Sequence, residues 1–217
     1  DCPLGPRGCL NQTWEPVPSE VHEGASIAAV LEAPKTEDVD AGRPLAGLDG
    51  GEWALALRSV RLQRTDIDLF HAIQCSPPQN WKRMEASIRR HRKVLEKGYR
   101  AYEGMNATTA NDYIFTLGAT AGQPLLRTER TMGSLEGDMI ETTAQKLFWD
   151  AFDWTQATNN WPVKVLPTYD PGHVKHMPKL RPQFHASLGK GLRFFNDMLN
   201  WREPELLTQP TPEELEE

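Results

Sequence analysis

The chain has 217 residues, a hydrophobic share of 39% and a formal net charge of -6 at pH 7. This length suits one large domain, and the apolar share allows a hydrophobic core. No run of about twenty apolar residues occurs, which excludes a helical membrane span, and the acidic balance disfavours nucleic acid as a partner of the whole chain.

Proline and charge divide the chain into three parts. Residues 1–18 contain four prolines and predict an irregular N-terminal arm. Residues 19–202 carry the apolar periodicity of a helical domain. Residues 203–217 are acidic and contain three prolines, which indicates an extended C-terminal tail.

The N-terminal arm and two glycosylation triplets indicate the cellular compartment of the protein. Cys2 and Cys9 bracket a short turn and could form a disulfide in an oxidising compartment, or both could be free thiols. Asn11 and Asn106 each begin a glycosylation triplet. The chain begins at Asp1 instead of Met, so we expect a processed protein. An organelle such as the mitochondrion, or secretion, is favoured over the cytosol.

Two helices and a loop are predicted in the first third of the chain. Ser19 can cap a short helix that ends before Pro34. Residues 34–51 are rich in glycine and proline, which is typical of a surface loop. Residues 53–75 suit a helical stripe with a break near residues 63–65. A strand over residues 53–57 is the alternative, but alanine and leucine favour helix.

Residues 80–104 predict a long amphipathic helix with a basic outer face. Steps of three and four place its large side chains on one stripe, and Asn80 and Gly104 can cap its ends. The basic face includes Arg89, Arg90, Arg92 and Lys93. This face could be solvated, or it could dock on an acidic protein surface. Contact with nucleic acid or an anionic membrane surface is the third alternative, and the acidic remainder of the chain disfavours it.

The following segment is predicted as a small β-hairpin, from residues 113–117 and 125–131, with a helix over residues 108–117 as the alternative. Ser134 can cap a helix that runs to Trp154. Residues 161–186 contain five prolines and fit no regular element, so we predict a long loop. A loop of this length is commonly functional or covers a partner.

The last predicted helix begins at Ser187 and ends before Pro204. Its apolar residues cover so wide an arc that burial on one side would leave part of it exposed. We therefore expect Phe194 and Trp201, together with the basic face of residues 80–104, to bind a protein partner.

A search for chemistry finds no phosphate-binding loop, dinucleotide fingerprint, nucleophile elbow or paired-cysteine motif. The best metal candidate is a zinc site formed by Asp170, His173, His176 and His185, because carboxylate and imidazole are zinc ligands. Histidines in a proline-rich loop are more often simply exposed, so no cofactor is the favoured interpretation. Asp66 and Asp68 resemble an acidic metal-binding pair, but a capping role for Asp66 is favoured.

These observations together predict a mainly α protein, an irregular helical bundle with long proline-rich connections and one small β-hairpin. The favoured function is that of a non-enzymatic structural or accessory subunit in a larger, organellar assembly with protein partners. One alternative is a secreted, disulfide-containing binding or effector protein. The other is a metal-assisted enzyme.

Overall fold

The computed structural model describes residues 17–72, 112–147 and 162–196. The predicted basic helix, all three cysteines, Asn11, Asn106, Trp201 and the acidic tail lie outside these ranges. The arm and tail boundaries, the disulfide and the compartment therefore stay predictions.

The described residues contain five strands in one mixed sheet: β1 (Ile27–Leu31), β2 (Ile67–His71), β3 (Tyr113–Leu117), β4 (Ile140–Thr143) and β5 (Pro162–Thr168). Their order across the sheet is β2-β1-β3-β5-β4. The first four in this order are parallel, and β4 pairs antiparallel with β5 at the edge. The central strands β1 and β3 are buried on both faces, as parallel strands covered by helices are.

Helices connect these strands and cover them. In chain order the described ones are α1 (Thr36–Ala41), α2 (Leu48–Ser59), α3 (Ala119–Leu125), α4 (Met132–Leu135), α5 (Ala144–Leu147), α6 (Pro171–His176) and α7 (Arg181–Phe195), with short 3-10 turns at Arg64–Asp66 and Pro178–Leu180. None of the helices in the described ranges is long and apolar enough to cross a membrane.

Two hydrophobic cores lie on opposite faces of the sheet. Alternate strand residues such as Ala29, Phe115 and Leu166 pack against α2, α6 and α7. The intervening residues, such as Val30 and Ile114, pack against α3 and α5. This alternation is the two-residue period of a strand, and the result is a layered α/β fold.

The connections after the neighbouring strands β1 and β3 leave to opposite sides of the sheet. The chain after β1 continues into α2 on one face, whereas the chain after β3 continues into α3 on the other face. In open α/β sheets such a point opens a crevice beyond the carboxyl ends of the strands, and ligands bind there.

The prediction of a mainly α bundle is wrong, because the described chain forms this five-stranded sheet. Residues 27–31 were assigned to a helix but form β1. All five of these residues are buried, so the segment is a short continuous apolar run, and periodicity cannot distinguish such a run from a buried helical turn.

Corrections of the same kind apply to the next segments. The predicted surface loop over residues 34–51 contains α1 and the start of α2. The prediction of a helix is correct for residues 53–59. The predicted break near residues 63–65 is confirmed by the turn at Arg64–Asp66. The piece after that break is β2 and not a helix.

The strand at Tyr113–Leu117 is confirmed, but the β-hairpin is wrong. This strand pairs in parallel with β1 and β5, and residues 125–131 form no strand. The helix predicted from Ser134 is interrupted by β4, and the predicted loop over residues 161–186 contains β5, α6 and the start of α7. The sheet satisfies the backbone groups of β5 despite its prolines, because Pro162 stands at its first position and Pro167 near its end.

The last helix is confirmed over residues 187–195, although it begins six residues earlier than predicted, at Arg181. Its apolar side chains are covered by this chain's own sheet: Leu188, Phe194 and Phe195 are all buried. The described part of the chain thus leaves Phe194 little exposed surface for the predicted contact with a protein partner.

Candidate active site

A cavity of about 600 Å³ opens at the carboxyl edge of the sheet, at the switch point between β1 and β3. Its walls come from the segments that follow β1, β3 and β5, and from α4. The lining residues are Glu32, Lys35, Gly118, Ala119, Met132, Gly133, Tyr169, Asp170, Gly172, His173 and His176.

Glu32 follows β1 and is fixed by the neighbouring connection. Its Oε1 accepts a hydrogen bond from the backbone N–H of Thr120 at 2.9 Å. Gly118 makes this approach possible: its φ is +94°, and a Cβ at this position would lie 2.8 Å from Glu32 Oε1. The left-handed backbone and the close contact both require glycine. Glu32 is therefore held against the start of α3 at the cavity wall.

Asp170 follows β5 and caps α6. Its Oδ1 accepts the backbone N–H of His173 at 3.1 Å, and Pro171 occupies the first helical position, as a helix start favours. Burial raises the pKa of Asp170 above its usual range, and the carboxylates of Glu32 and Asp49 add to this, although Lys35 opposes it. The result is a carboxyl group that binds a proton more readily than an exposed aspartate.

Lys35 brings a positive charge to the same wall. Its Nζ donates to Asp49 and lies 3.6 Å from Asp170 Oδ1, while the side chain remains 48% exposed. Burial acts to lower the pKa of Lys35, but the carboxylates of Asp170 and Asp49 more than offset this and raise it. The amine is therefore held as an ammonium ion.

Asp49 lies on α2 behind Lys35 and is buried. A second cation, Lys175 of α6, approaches its Oδ1 at 2.8 Å. Burial acts to raise the pKa of Asp49, but the hydrogen bonds from Lys175 and Lys35 outweigh it and lower the pKa. Gly172 leaves room for this group, because a Cβ there would lie 2.6 Å from Asp49 Oδ2 and 2.9 Å from Asp170 Oδ1.

Glu136 supports the end of β5 from below the cavity. Its Oε1 accepts hydrogen bonds from Thr168 Oγ1 at 2.9 Å and from Ser187 Oγ at 2.6 Å. Burial raises the pKa of Glu136, and burial together with the nearby Glu136 raises the pKa of Tyr169. The strand end that carries Tyr169 and Asp170 is thereby fixed to α7.

This arrangement has a defined chemical capability. Two carboxylates, Glu32 and Asp170, and one ammonium ion, Lys35, border the cavity. The other lining residues are Tyr169, one methionine, two histidines and small residues. A carboxylate with a raised pKa can accept a proton from water, and fixed charges can stabilise charge that develops in a transition state. Hydrolysis with a carboxylate as general base is the kind of reaction that such a cavity can support.

The predicted zinc ligands are only partly brought together. Asp170, His173 and His176 line the same cavity, whereas His185 lies on α7 beside Phe184, with ring centroids 6.1 Å apart. Within residues 17–72, 112–147 and 162–196, no group of three or more His, Cys, Asp or Glu side chains could hold a metal ion. The absence of a cofactor elsewhere stays a prediction. Asp66 accepts the N–H of Gln63 at 2.7 Å, which confirms its capping role.

The predicted partner surface at Arg89, Arg90, Arg92, Lys93 and Trp201 lies outside the described residues. Sequence reasoning did select residues 169–176, but for metal binding, and it missed Glu32, Lys35 and Asp49. A signal was present. Apolar runs at residues 27–31 and 113–117 are each followed at once by Glu or Gly, which is the pattern of parallel strands whose carboxyl ends carry a site.

The chain is 25% identical over 174 residues to the type-4 uracil-DNA glycosylase of Archaeoglobus fulgidus, an alignment that covers 80% of this chain and 79% of that protein. No family model matches the chain. That relative is by its name an enzyme that acts on DNA. The similarity contradicts the predictions of a non-enzymatic accessory or structural subunit, of protein partners, and of nucleic acid as a disfavoured partner.

Proposed function

We propose that this protein is a DNA glycosylase that hydrolyses the bond between uracil and deoxyribose in DNA. The observation that carries the proposal is the similarity to an enzyme with this activity along 80% of the chain. The cavity at the carboxyl edge of the sheet supports it independently, since its position and its carboxylates suit hydrolysis.

The cavity suits a base that has been turned out of the DNA stack. Glycosylases cannot reach their target bond inside a duplex, so they bind an extruded base between aromatic and apolar side chains. A volume of about 600 Å³ is ample for one pyrimidine with part of its sugar, and the cavity opens at the protein surface. Tyr169 offers the aromatic side chain, and Gly118 and Gly133 allow a close approach.

The proposed reaction breaks the bond between C1′ of the sugar and N1 of uracil. The electron pair of that bond leaves with the base, and the sugar develops the positive charge of an oxocarbenium ion, as in other glycoside hydrolysis. A water oxygen then bonds to C1′, and one water proton passes to a carboxylate, which later returns it to solvent. The base anion takes up one proton from solvent. The products are free uracil and an abasic site in an unbroken strand.

The two carboxylates have different parts in this proposal. Asp170 is the base for water, because its raised pKa favours proton uptake. Glu32 is fixed at the cavity wall by Thr120 N–H, and its negative charge stabilises the positively charged sugar. Lys35 and Asp49 keep Asp170 in place through the ion-paired group behind the cavity.

The net charge of -6 does not oppose DNA binding at this site. Residues 171–196 contain five Lys or Arg residues and no Asp or Glu. This segment begins at the cavity with α6, which exposes His173 and His176, and continues into the turn at Pro178–Leu180, which exposes Lys179. Local positive charge, and not the chain average, determines how phosphates are attracted over a Debye length of about 10 Å.

The test is uracil release from a labelled single-stranded oligonucleotide that contains one deoxyuridine, followed by alkaline cleavage of abasic sites. The matched control oligonucleotide contains thymidine at the same position. We expect release from the uracil strand only. Asp170→Asn should lower the single-turnover rate by roughly 10²–10⁴-fold while substrate binding changes little.

Two results would count against this proposal. One is the absence of release from single-stranded and double-stranded uracil substrates at equimolar enzyme. The other is release at the wild-type rate by Asp170→Asn and Glu32→Gln, which would locate the chemistry elsewhere. Thermal unfolding of each variant establishes that the protein is folded under the assay conditions.

A further inference from the structure

The cavity is lined by more negatively than positively charged side chains. Glu32 and Asp170 line it as carboxylates, and of the side chains lining it in the described part of the chain only Lys35 carries a permanent positive charge. Its side chain is 48% exposed, so a ligand in the cavity can reach the ammonium group. His173 and His176 stand at the rim and are exposed to solvent.

The position of Lys35 is determined from three directions. Its Nζ donates to Asp49, which Lys175 approaches from the other side at 2.8 Å. Asp170 lies 3.6 Å from the same nitrogen. The backbone N–H of Lys35 donates to the buried Asp38 at 3.0 Å, which anchors the start of α1. The ammonium is therefore placed before any substrate binds.

The proposed reaction creates a negative charge that needs such a partner. When the C1′–N1 bond breaks, the electron pair stays on the base, and this charge spreads onto its carbonyl oxygens. Two carboxylates in the wall oppose the departure of an anion. A fixed cation at that wall is worth much more than one in water, because the cavity is partly shielded from solvent.

Resting on the proposed function, we infer that Lys35 is a catalytic residue that stabilises the departing base as an anion by donating a hydrogen bond from its ammonium group to a carbonyl oxygen of the base. Asp49 and Lys175 are positioning residues for it. The ammonium keeps its proton and forms no bond to carbon.

The same geometry excludes a covalent role for Lys35. An amine must lose its proton before it can attack C1′ and form a Schiff base. Asp49 and Asp170 both favour the protonated form. Borohydride added during turnover should therefore trap no protein–DNA adduct, and a trapped adduct that disappears in Lys35→Met would overturn the inference.

The decisive experiment compares two leaving groups. Single-turnover rates are measured on strands that contain uracil or 5-fluorouracil, whose fluorine makes the base the better leaving group. We expect Lys35→Met to lower the rate on uracil by roughly 10²-fold and to lower the rate on 5-fluorouracil distinctly less, since a better leaving group needs less stabilisation. Lys35→Arg should recover part of the lost rate.

Two further variants test the positioning of Lys35 and the effect of removing a distant positive charge. Lys175→Met removes the other cation that contacts Asp49, but Lys175 does not line the cavity. Because Lys175 acts only through the position of Lys35, this variant should slow uracil release by a smaller factor than Lys35→Met does, and should slow 5-fluorouracil release less than uracil release. Arg58→Met removes an exposed charge at the end of α2, away from the residues that line the cavity and from the basic segment 171–196, and should leave both rates unchanged.

If Lys35→Met lowers the rate by the same factor on both substrates, or does not lower it at all, the inference is overturned. The proposed glycosylase activity is not affected by that result. Wild-type protein that releases neither base would instead remove the proposed function, and the inference with it. Melting temperatures are measured for all four variants, and Lys35→Arg serves as the second test where Lys35→Met fails to fold.

Discussion

Glu32 Oε1 accepts the backbone N–H of Thr120 at 2.9 Å, and this bond joins the end of β1 to the first turn of α3. The two segments diverge to opposite faces of the sheet directly after it. The bond therefore holds together the point at which the crevice opens, and Glu32 has both a structural and a chemical role.

These two roles of Glu32 can be separated by substitution. Glu32→Gln keeps an oxygen for the Thr120 N–H but removes the charge, so we expect a melting temperature near that of the wild type and a rate of uracil release lower by roughly 10²-fold. Glu32→Ala removes the bond as well and should cost about 1 kcal/mol in unfolding free energy. Equal stability losses in both variants would contradict the separation.

Gly118 cannot be replaced without strain. Its φ of +94° disfavours a side chain, and a Cβ there would meet the Glu32 carboxyl group at 2.8 Å. We expect Gly118→Ala to lower the unfolding free energy by about 1–3 kcal/mol, measured by urea denaturation. The matched control is Gly51→Ala in α2, where no atom lies within 4 Å of the added Cβ. That variant should be neutral or more stable, because alanine favours helix.

The buried His71 should make stability depend on pH. Burial lowers the pKa of His71 to about 4, against a usual value of 6.5. Above pH 6.5 the imidazole is neutral in both states. As the pH falls from 6.5 towards 4, the imidazole takes up a proton in the unfolded chain but not in the folded protein. The free energy of unfolding therefore decreases, by up to roughly 3 kcal/mol.

His71→Leu should abolish this part of the pH dependence, measured as urea midpoints between about pH 4 and about pH 8. Leu69→Val is the control, since it weakens the same strand without a titrating group and should keep the wild-type slope. If His71→Leu also retains that slope, the imidazole is not its source.

Glu136 should make stability depend on pH in the sense opposite to that of His71. Burial raises the pKa of Glu136 above 4.5, so the folded protein holds a proton that the unfolded chain has released. Its contribution to stability is therefore present at low pH and is lost as the pH rises through the raised pKa. Glu136→Gln, which mimics the protonated form, should lack this loss and be at least as stable as the wild type at pH 8. Lower stability there would show that the carboxylate is required.

Phe195 should contribute strongly to the stability of the isolated chain. The ring is buried and lies against Phe115 and Tyr113, with centroid distances of 4.9 Å and 5.0 Å. Phe195→Ala should cost about 3–5 kcal/mol in unfolding free energy. The control Leu55→Ala removes a side chain that is 49% exposed on α2 and should cost much less. A small effect of Phe195→Ala would revive the idea that the end of α7 faces a partner.

The sequence indicated local features wherever one residue type determined the backbone. Thr65 and Asp66, as a possible cap, marked the break before β2, and the apolar stripe over residues 187–195 predicted α7 correctly. The strand at Tyr113–Leu117 was predicted from its β-branched and aromatic residues. Its neighbour at residues 27–31 was assigned to a helix, because Ser19 could cap and Pro34 could end a helix that runs through this apolar segment.

The sequence by itself therefore determined which short segments are apolar, where they are interrupted, and that residues 169–176 concentrate polar chemistry after such a segment. Only the tertiary structure decided that β1, β3 and β5 lie side by side in parallel. This pairing brings Glu32 and Lys35 to one edge with Asp170, which lies more than a hundred residues further along the chain. The physical reason is that strand pairing joins distant segments through backbone hydrogen bonds, which carry almost no sequence signature, whereas apolarity and turn chemistry belong to individual residues.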